Sequence, residues 1–255
     1  MRIALCLSSL LLIACSPSPS SSLTALTPER EAATLGFYAQ RLVFANVSEL
    51  PIVGKSKTVA SSDRIVQLVK EGDGYKLLER TCRLRVVSDG LLKISFSDQN
   101  IQALAPTESV VTLGEDGDAL VLTRSKQAEI IGAKLSDLNE ALPLKESDPR
   151  IVDADQDGKP GLTASAEAGP LKGQLYMIQR SISSYEAREQ TSGAFTGLLQ
   201  DKTEQAIVGT SSFLLNAAKG KLALTPDPDP NQSHVRFVKA DDSITCADLD
   251  AILGS

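Results

Sequence analysis

The sequence predicts an all-β protein, an antiparallel barrel or sandwich with one or two short helices, one of them at the C-terminus. Three observations predict it. Apolar residues alternate with period two over many short runs, Gly, Asp and Pro punctuate those runs, and few stretches hold a helical period. With 255 residues, 42% of them hydrophobic and 23% charged, the chain has material for one large domain or two small ones.

The alternation begins at Gly36 and runs to Pro51. Tyr38, Gln40, Leu42 and Phe44 fall on one side, and Phe37, Ala39, Val43 and Ala45 on the other, where Arg41 interrupts them. Residues 65–69 and 75–87 flank Glu71-Gly72-Asp73-Gly74, and Asp-Gly supplies the positive φ that a tight hairpin requires. A further hairpin is expected at Ser88-Asp89-Gly90, followed by Leu92, Ile94 and Phe96 alternating with Lys93 and Ser95. Cys82, Leu84 and Val86 share one face of the incoming strand, which points the thiol inward. Ser97 is placed to cap a short helical turn through Ile101 and Leu104. Extended segments follow at 110–113, 119–123, 162–168, 174–185, 194–200, 204–215 and 234–239, a spacing that suits a sandwich or barrel.

Two segments carry helical patterns. Residues 128–142 form the weaker one, interrupted by Gly132. In 245–253, Thr245 is a cap with Asp248 at the third helical position, and Leu249, Ile252 and Leu253 form an apolar stripe. Pro226-Asp227-Pro228-Asp229-Pro230 reads as a rigid, exposed loop. No repeat with a period of tens of residues is present.

The amino terminus carries an address. Arg2 precedes a run of apolar and small residues up to Cys15, too short to cross a hydrocarbon core of ~30 Å as a helix but suited to a secretory signal. Leu12-Ile13-Ala14-Cys15 resembles the lipobox of bacterial lipoproteins. The resemblance covers the first 15 residues and implies cleavage before Cys15, acylation of that residue, and anchoring by acyl chains at ~0.8 kcal/mol per buried CH₂. Residues 1–14 are then the signal peptide. Residues 15–35 are the lipidated cysteine and a tether opened by Ser16-Pro17-Ser18-Pro19, and 36–255 form a single β-rich domain. Ser16 directly after the lipid site favours the outer membrane, on its periplasmic face or the cell surface.

Export fixes the chemistry of the remaining cysteines. Of four, Cys6 leaves with the signal and Cys15 is acylated. Cys82 and Cys246 remain in an oxidising compartment, where an even remainder is expected to pair as a disulfide.

The strongest chemical feature is Asp153-Ala154-Asp155-Gln156-Asp157-Gly158-Lys159. Three carboxylates at alternating positions converge when the chain turns, and like charges ~4 Å apart repel by about 4 kcal/mol at an effective dielectric near 20. A cation relieves that repulsion. The segment resembles the first half of an EF-hand-like calcium loop, which implies the side chains of Asp153, Asp155 and Asp157 and the backbone carbonyl of Lys159 as ligands. Ala164 stands where the full motif has a bidentate Glu, so Glu167, Asp148 or water is needed to complete a structural calcium site.

Other chemistries find little support. A net charge of −6 and an aromatic content of 4% disfavour nucleic acid as partner. The single histidine, His234, rules out a two-histidine zinc site within the chain. No Gly-x-Ser-x-Gly elbow, Ser-x-x-Lys pair or phosphate-binding glycine loop occurs, so no enzymatic activity is expected. The chain resembles lipoproteins of Gram-negative envelopes, and the expected role is a lipid-anchored binding or structural protein with a small apolar ligand or an envelope protein as partner. The alternative is a lipocalin-like carrier with a cavity open at one end and Tyr38, Leu42, Val86 and Tyr176 pointing inward. A hydrolase is the third and weakest reading.

Overall fold

A computed structural model of the chain describes residues 23–50 and 54–254. The signal segment and Cys15 lie outside the described residues. The strands are β1 (Gly36–Leu50), β2 (Gly54–Glu71), β3 (Gly74–Ser88), β4 (Lys93–Ser95), β5 (Thr107–Asp116), β6 (Ala119–Ile131), β7 (Leu162–Ala168), β8 (Leu171–Thr191), β9 (Ala194–Thr210), β10 (Gly220–Pro226) and β11 (His234–Ala240). Among the described residues three short α-helices join them, α1 (Pro28–Thr34), α2 (Asp98–Gln102) and α3 (Leu249–Leu253). Among the described residues no helix is long and apolar enough to cross a membrane.

The pairings close a ring. β1, β2, β3, β5, β6, β8, β9 and β11 follow one another antiparallel, and β11 returns to β1 through Phe37 opposite Ala240 to Val43 opposite His234. The fold is therefore a closed antiparallel barrel. Towards one end the ring changes members. β10 takes the place of β11 between β9 and β1, β7 pairs with the first half of β8, and β4 pairs with β7.

The other end is filled and closed. Tyr38, Leu68, Leu77, Val111, Leu120, Phe195 and Phe237 pack there in one cluster, with Tyr38, Phe195 and Phe237 in edge-to-face contact. Buried aromatics of this kind contribute area together with a preferred ring geometry. α1 lies at the same end. Its Thr27 cap accepts from the Arg30 amide, and Glu31 accepts from Lys70 and Tyr75 beside the β2–β3 turn. Residues 23–35 thus meet the barrel at its filled end, away from the hollow half.

Several sequence expectations are corrected. Residues 128–142 are not a helix: 128–131 finish β6 and the remainder is an irregular crossing. Gly132 has φ +76°, and a Cβ there would stand 2.8 Å from Gly161 Cα and 2.9 Å from the Met177 carbonyl, so the chain must leave the strand at this glycine. Residues 88–90 do not close a hairpin, because Asp89 folds back on β2. Its carboxylate accepts from the Lys57 amide and the Ser56 hydroxyl, and β4 goes to β7 instead. The 204–215 segment divides into the end of β9 and a 3₁₀ turn at Phe213–Ala218. The C-terminal helix begins at Leu249 rather than near Thr245, whose hydroxyl and amide both bond Asp248 in the preceding turn.

Cys82 also faces the other way. The β2–β3 register shifts between Asp63 and Arg64, which lie opposite Arg83 and Thr81. Cys82 is the extra residue of a bulge, and a bulge resets which side chains point inward. Thr81, Leu84 and Val86 face the lumen, whereas Cys82 packs outside the barrel with Ala39, Leu249 and Leu253. There it forms a disulfide with Cys246, Cα to Cα 5.3 Å.

Candidate functional site

The half of the barrel opposite α1 is hollow. Its lumen is a partly open cavity of about 150 Å³, a size that in an apolar site accepts a small ring such as benzene. Inward positions of β1, β2, β3, β7, β8 and β10 give it an apolar wall, with Phe44, Leu84, Val86, Leu162, Met177 and Leu222 among the lining. α2 and the turn after it cover the flank of β3 that no strand pairs at this level, contributing Ile101, which is fully buried, and Leu104.

A layer of charge separates the hollow half from the filled half. Arg64, 5% exposed, donates from Nε to Ser62 Oγ at 3.0 Å, from Nη1 to Glu79 at 3.0 Å and from Nη2 to Glu129 at 3.0 Å. Ser109 donates to the other oxygen of Glu79 at 2.5 Å. Burial acts against the Arg64 charge, but Glu129 and Glu79 outweigh it and raise its pKa. Beside this group Asp201 accepts from the Ser181 and Thr203 hydroxyls, 2.7 Å each, and burial pushes its carboxyl up. Ser62, Arg64, Glu129, Ser181 and Thr203 all reach the lumen. A cavity that is apolar along its walls and polar at its floor suits a molecule with two unlike ends.

Of the residues expected to point inward, Leu42 and Val86 line the cavity. Tyr38 points inward but belongs to the filled end. Tyr176 faces out: β8 alternates regularly here, so Leu175 and Met177 share one face, from which Met177 enters the lumen, and Tyr176 falls on the other, where it packs with Ala133, Leu142 and Ile178 under the 132–161 crossing. The ionic floor was missed at the sequence level. Its signal was present, since Arg64 shares parity with Ser62 and Val66, and Glu79 with Leu77, both charges interrupting inward-facing runs. Glu129 was hidden in the segment read as a helix.

The aspartate loop lies against α2. Carboxylate oxygens of Asp153, Asp155 and Asp157 fall within 4.8 Å of one another, and the chain bends at Gly158, φ +80°. Asp153 accepts from the Asp157 and Gly158 amides at 3.2 and 2.8 Å, and Asp157 accepts from the Lys159 amide at 2.8 Å. Asp155 differs from its neighbours. It is 4% exposed, its Oδ2 accepts from Asn100 Nδ2 at 2.7 Å and the Thr163 amide at 3.1 Å, and burial raises its pKa. Its Oδ1 is buried with no partner. An orphaned carboxylate oxygen beside two more carboxylates fits an oxygen-seeking cation. Asp148 and Glu167 are engaged elsewhere. Asp148 is paired with Arg150 at 2.8 Å, and that hydrogen bond holds its pKa down at about 2, while Glu167 pairs with Lys172 at 3.1 Å. Water is left to complete a coordination shell.

Through Asn100 the loop braces α2, and Gln156 adds a bond to the Ala103 carbonyl at 3.1 Å. The loop therefore supports part of the lumen wall. Compared with known protein families, curated proteins and solved structures, the chain finds no match.

Proposed function

We propose that the protein is a lipid-anchored binding protein of the bacterial outer membrane whose barrel lumen carries a small apolar molecule, with a structural calcium ion in the aspartate loop. The observation that carries this reading is the hollow half of the barrel, closed below by the Arg64–Glu79–Glu129 layer and lined above by apolar side chains. A barrel that served only as a scaffold gains stability by filling its interior, because each buried methylene adds about 0.8 kcal/mol. The outward face carries charges such as Arg41, Asp63, Arg83 and Arg188, the reverse of the order in a barrel that spans lipid. Anchoring then falls to Cys15, and a disulfide in the domain accords with an exported protein.

Fluorescence titration with phenylnaphthylamine, a neutral apolar probe, tests the carrier role. The whole chain carrying Cys15→Ser is expected to give saturable, one-to-one enhancement. A linear, unsaturable response would remove the lumen from consideration as a binding site.

Calcium has its own test. At roughly ten times its dissociation constant a ligand stabilises by about 1.4 kcal/mol, or about 3–6 °C for a chain of this size. Melting curves in calcium are expected to lie that far above curves in chelator. Asp155→Ala, which removes the orphaned oxygen, should melt at one temperature in both. Equal curves for the wild type would leave the loop as a solvated turn.

A further inference from the structure

We infer that the lumen prefers an amphipathic cation, an apolar chain or ring carrying a protonated amine, over a carboxylate with the same apolar part. This inference rests on the carrier reading and assigns its ligand class from the floor of the cavity. The lining there contains one cation, Arg64, and one anion, Glu129, and they are not equally available. Arg64 has already spent donors on Ser62, Glu79 and Glu129, and its side chain is 6% exposed. Glu129 is 20% exposed. An entering carboxylate meets a guanidinium that is occupied, and an entering ammonium meets a carboxylate that still shows surface.

The hydroxyls on the floor point to the same class. Ser181, Thr203 and Asp201 form a closed triad, with 2.7 Å between Ser181 Oγ and each of Asp201 Oδ1 and Thr203 Oγ1, and 2.7 Å from Thr203 Oγ1 to Asp201 Oδ2. The hydroxyl hydrogens are used within it, so Ser181 and Thr203 offer the lumen lone pairs. Gln179 and Gln205 bond to each other at 2.5 Å, leaving donors and acceptors in equal number between them and so favouring neither charge. Glu79, Glu129 and Asp201 outnumber Arg64 and Arg124 among the charged groups of this layer. Arg124 is engaged below the floor with Ser183 at 3.1 Å and over the Tyr185 ring. The site thus supplies acceptors and negative charge to a ligand end that brings donors and positive charge.

Displacement of bound phenylnaphthylamine from the whole chain carrying Cys15→Ser tests this. Dodecylammonium, dodecanol and dodecanoate serve as competitors below their micelle concentrations. Dodecylammonium is expected to displace the probe at a roughly tenfold lower concentration than dodecanoate, with dodecanol between. Glu129→Gln, which keeps the shape and one acceptor, should shrink that gap to within about threefold, the gap being read as the ratio of the two competitors on the same protein. Asp201→Asn, which leaves the Arg64 pairs intact, should narrow it too, so the inference does not depend on one variant folding. Dodecanoate equal to or better than dodecylammonium, or a gap that survives both substitutions, overturns the inference and leaves the carrier reading standing. A probe that never binds overturns the carrier reading, and a bound probe that no competitor displaces overturns the ligand class.

Discussion

Arg64→Met is expected to lower stability by about 3–5 kcal/mol, because removal of one partner from a buried pair strands the other charge. Glu79 is 2% exposed, and its remaining partner is a neutral hydroxyl, Ser109. Denaturant melts of the two proteins measure the loss directly. An unpaired buried carboxylate folds in its protonated form, so the deficit should shrink as the pH is lowered. Arg64→Met with Glu79→Gln should recover much of the loss, since the double variant removes the fully buried anion and the carboxylate still left without Arg64 is Glu129, whose side chain is 20% exposed. A single variant as stable as the wild type would mean that the layer is wet and the lumen continues through it.

The second large effect concerns the bridge between Cys82 and Cys246. It spans 164 residues, and removing a native disulfide from a domain costs about 2–5 kcal/mol, with chain entropy alone giving roughly 5 kcal/mol for so long a loop. Cys82→Ala with Cys246→Ala should therefore melt well below the wild type in non-reducing buffer, and reductant should bring the wild type to the same temperature. The C-terminal segment has other ties. Leu249 and Leu253 are buried against Ala39, Arg83 reaches Asp250 at 2.7 Å, and Arg41 donates to the Gly254 carbonyl at 2.8 Å. The reduced barrel is thus expected to stay folded at room temperature, with enhanced hydrogen exchange confined to 241–254. Unfolding of the whole barrel on reduction would show that those ties hold nothing without the bridge.

The strands were legible because period two survives wherever pairing is regular, as from Phe37 to Val43 and from Leu162 to Ala168. It fails at bulges. The residues inserted at Cys82 in β3 and at Val208 in β9 break the alternation of their own strands, and nothing in the local composition marks them. The same limitation hid the floor of the lumen. Arg64 and Glu79, 15 positions apart in the chain, are set side by side by the β2–β3 hairpin, but they resemble solvent-facing charges until closure of the barrel buries that face. The aspartate loop was legible as a motif, since its spacing is local. That Asp155 turns inward to Asn100, 55 residues earlier, was not, because that contact depends on where the 132–161 crossing lies.

The central claim is that the hollow half of the barrel is a binding site. Ala60 lines it, and Ala60→Phe places a ring in the lumen without touching the charged floor. Because the space is already empty, overpacking costs little there. Phenylnaphthylamine titration of that variant is the most direct measurement. Affinity lowered by about tenfold or more, with the melting temperature unchanged, is the predicted result. Full affinity in a folded Ala60→Phe protein would place the probe outside the lumen and contradict the claim.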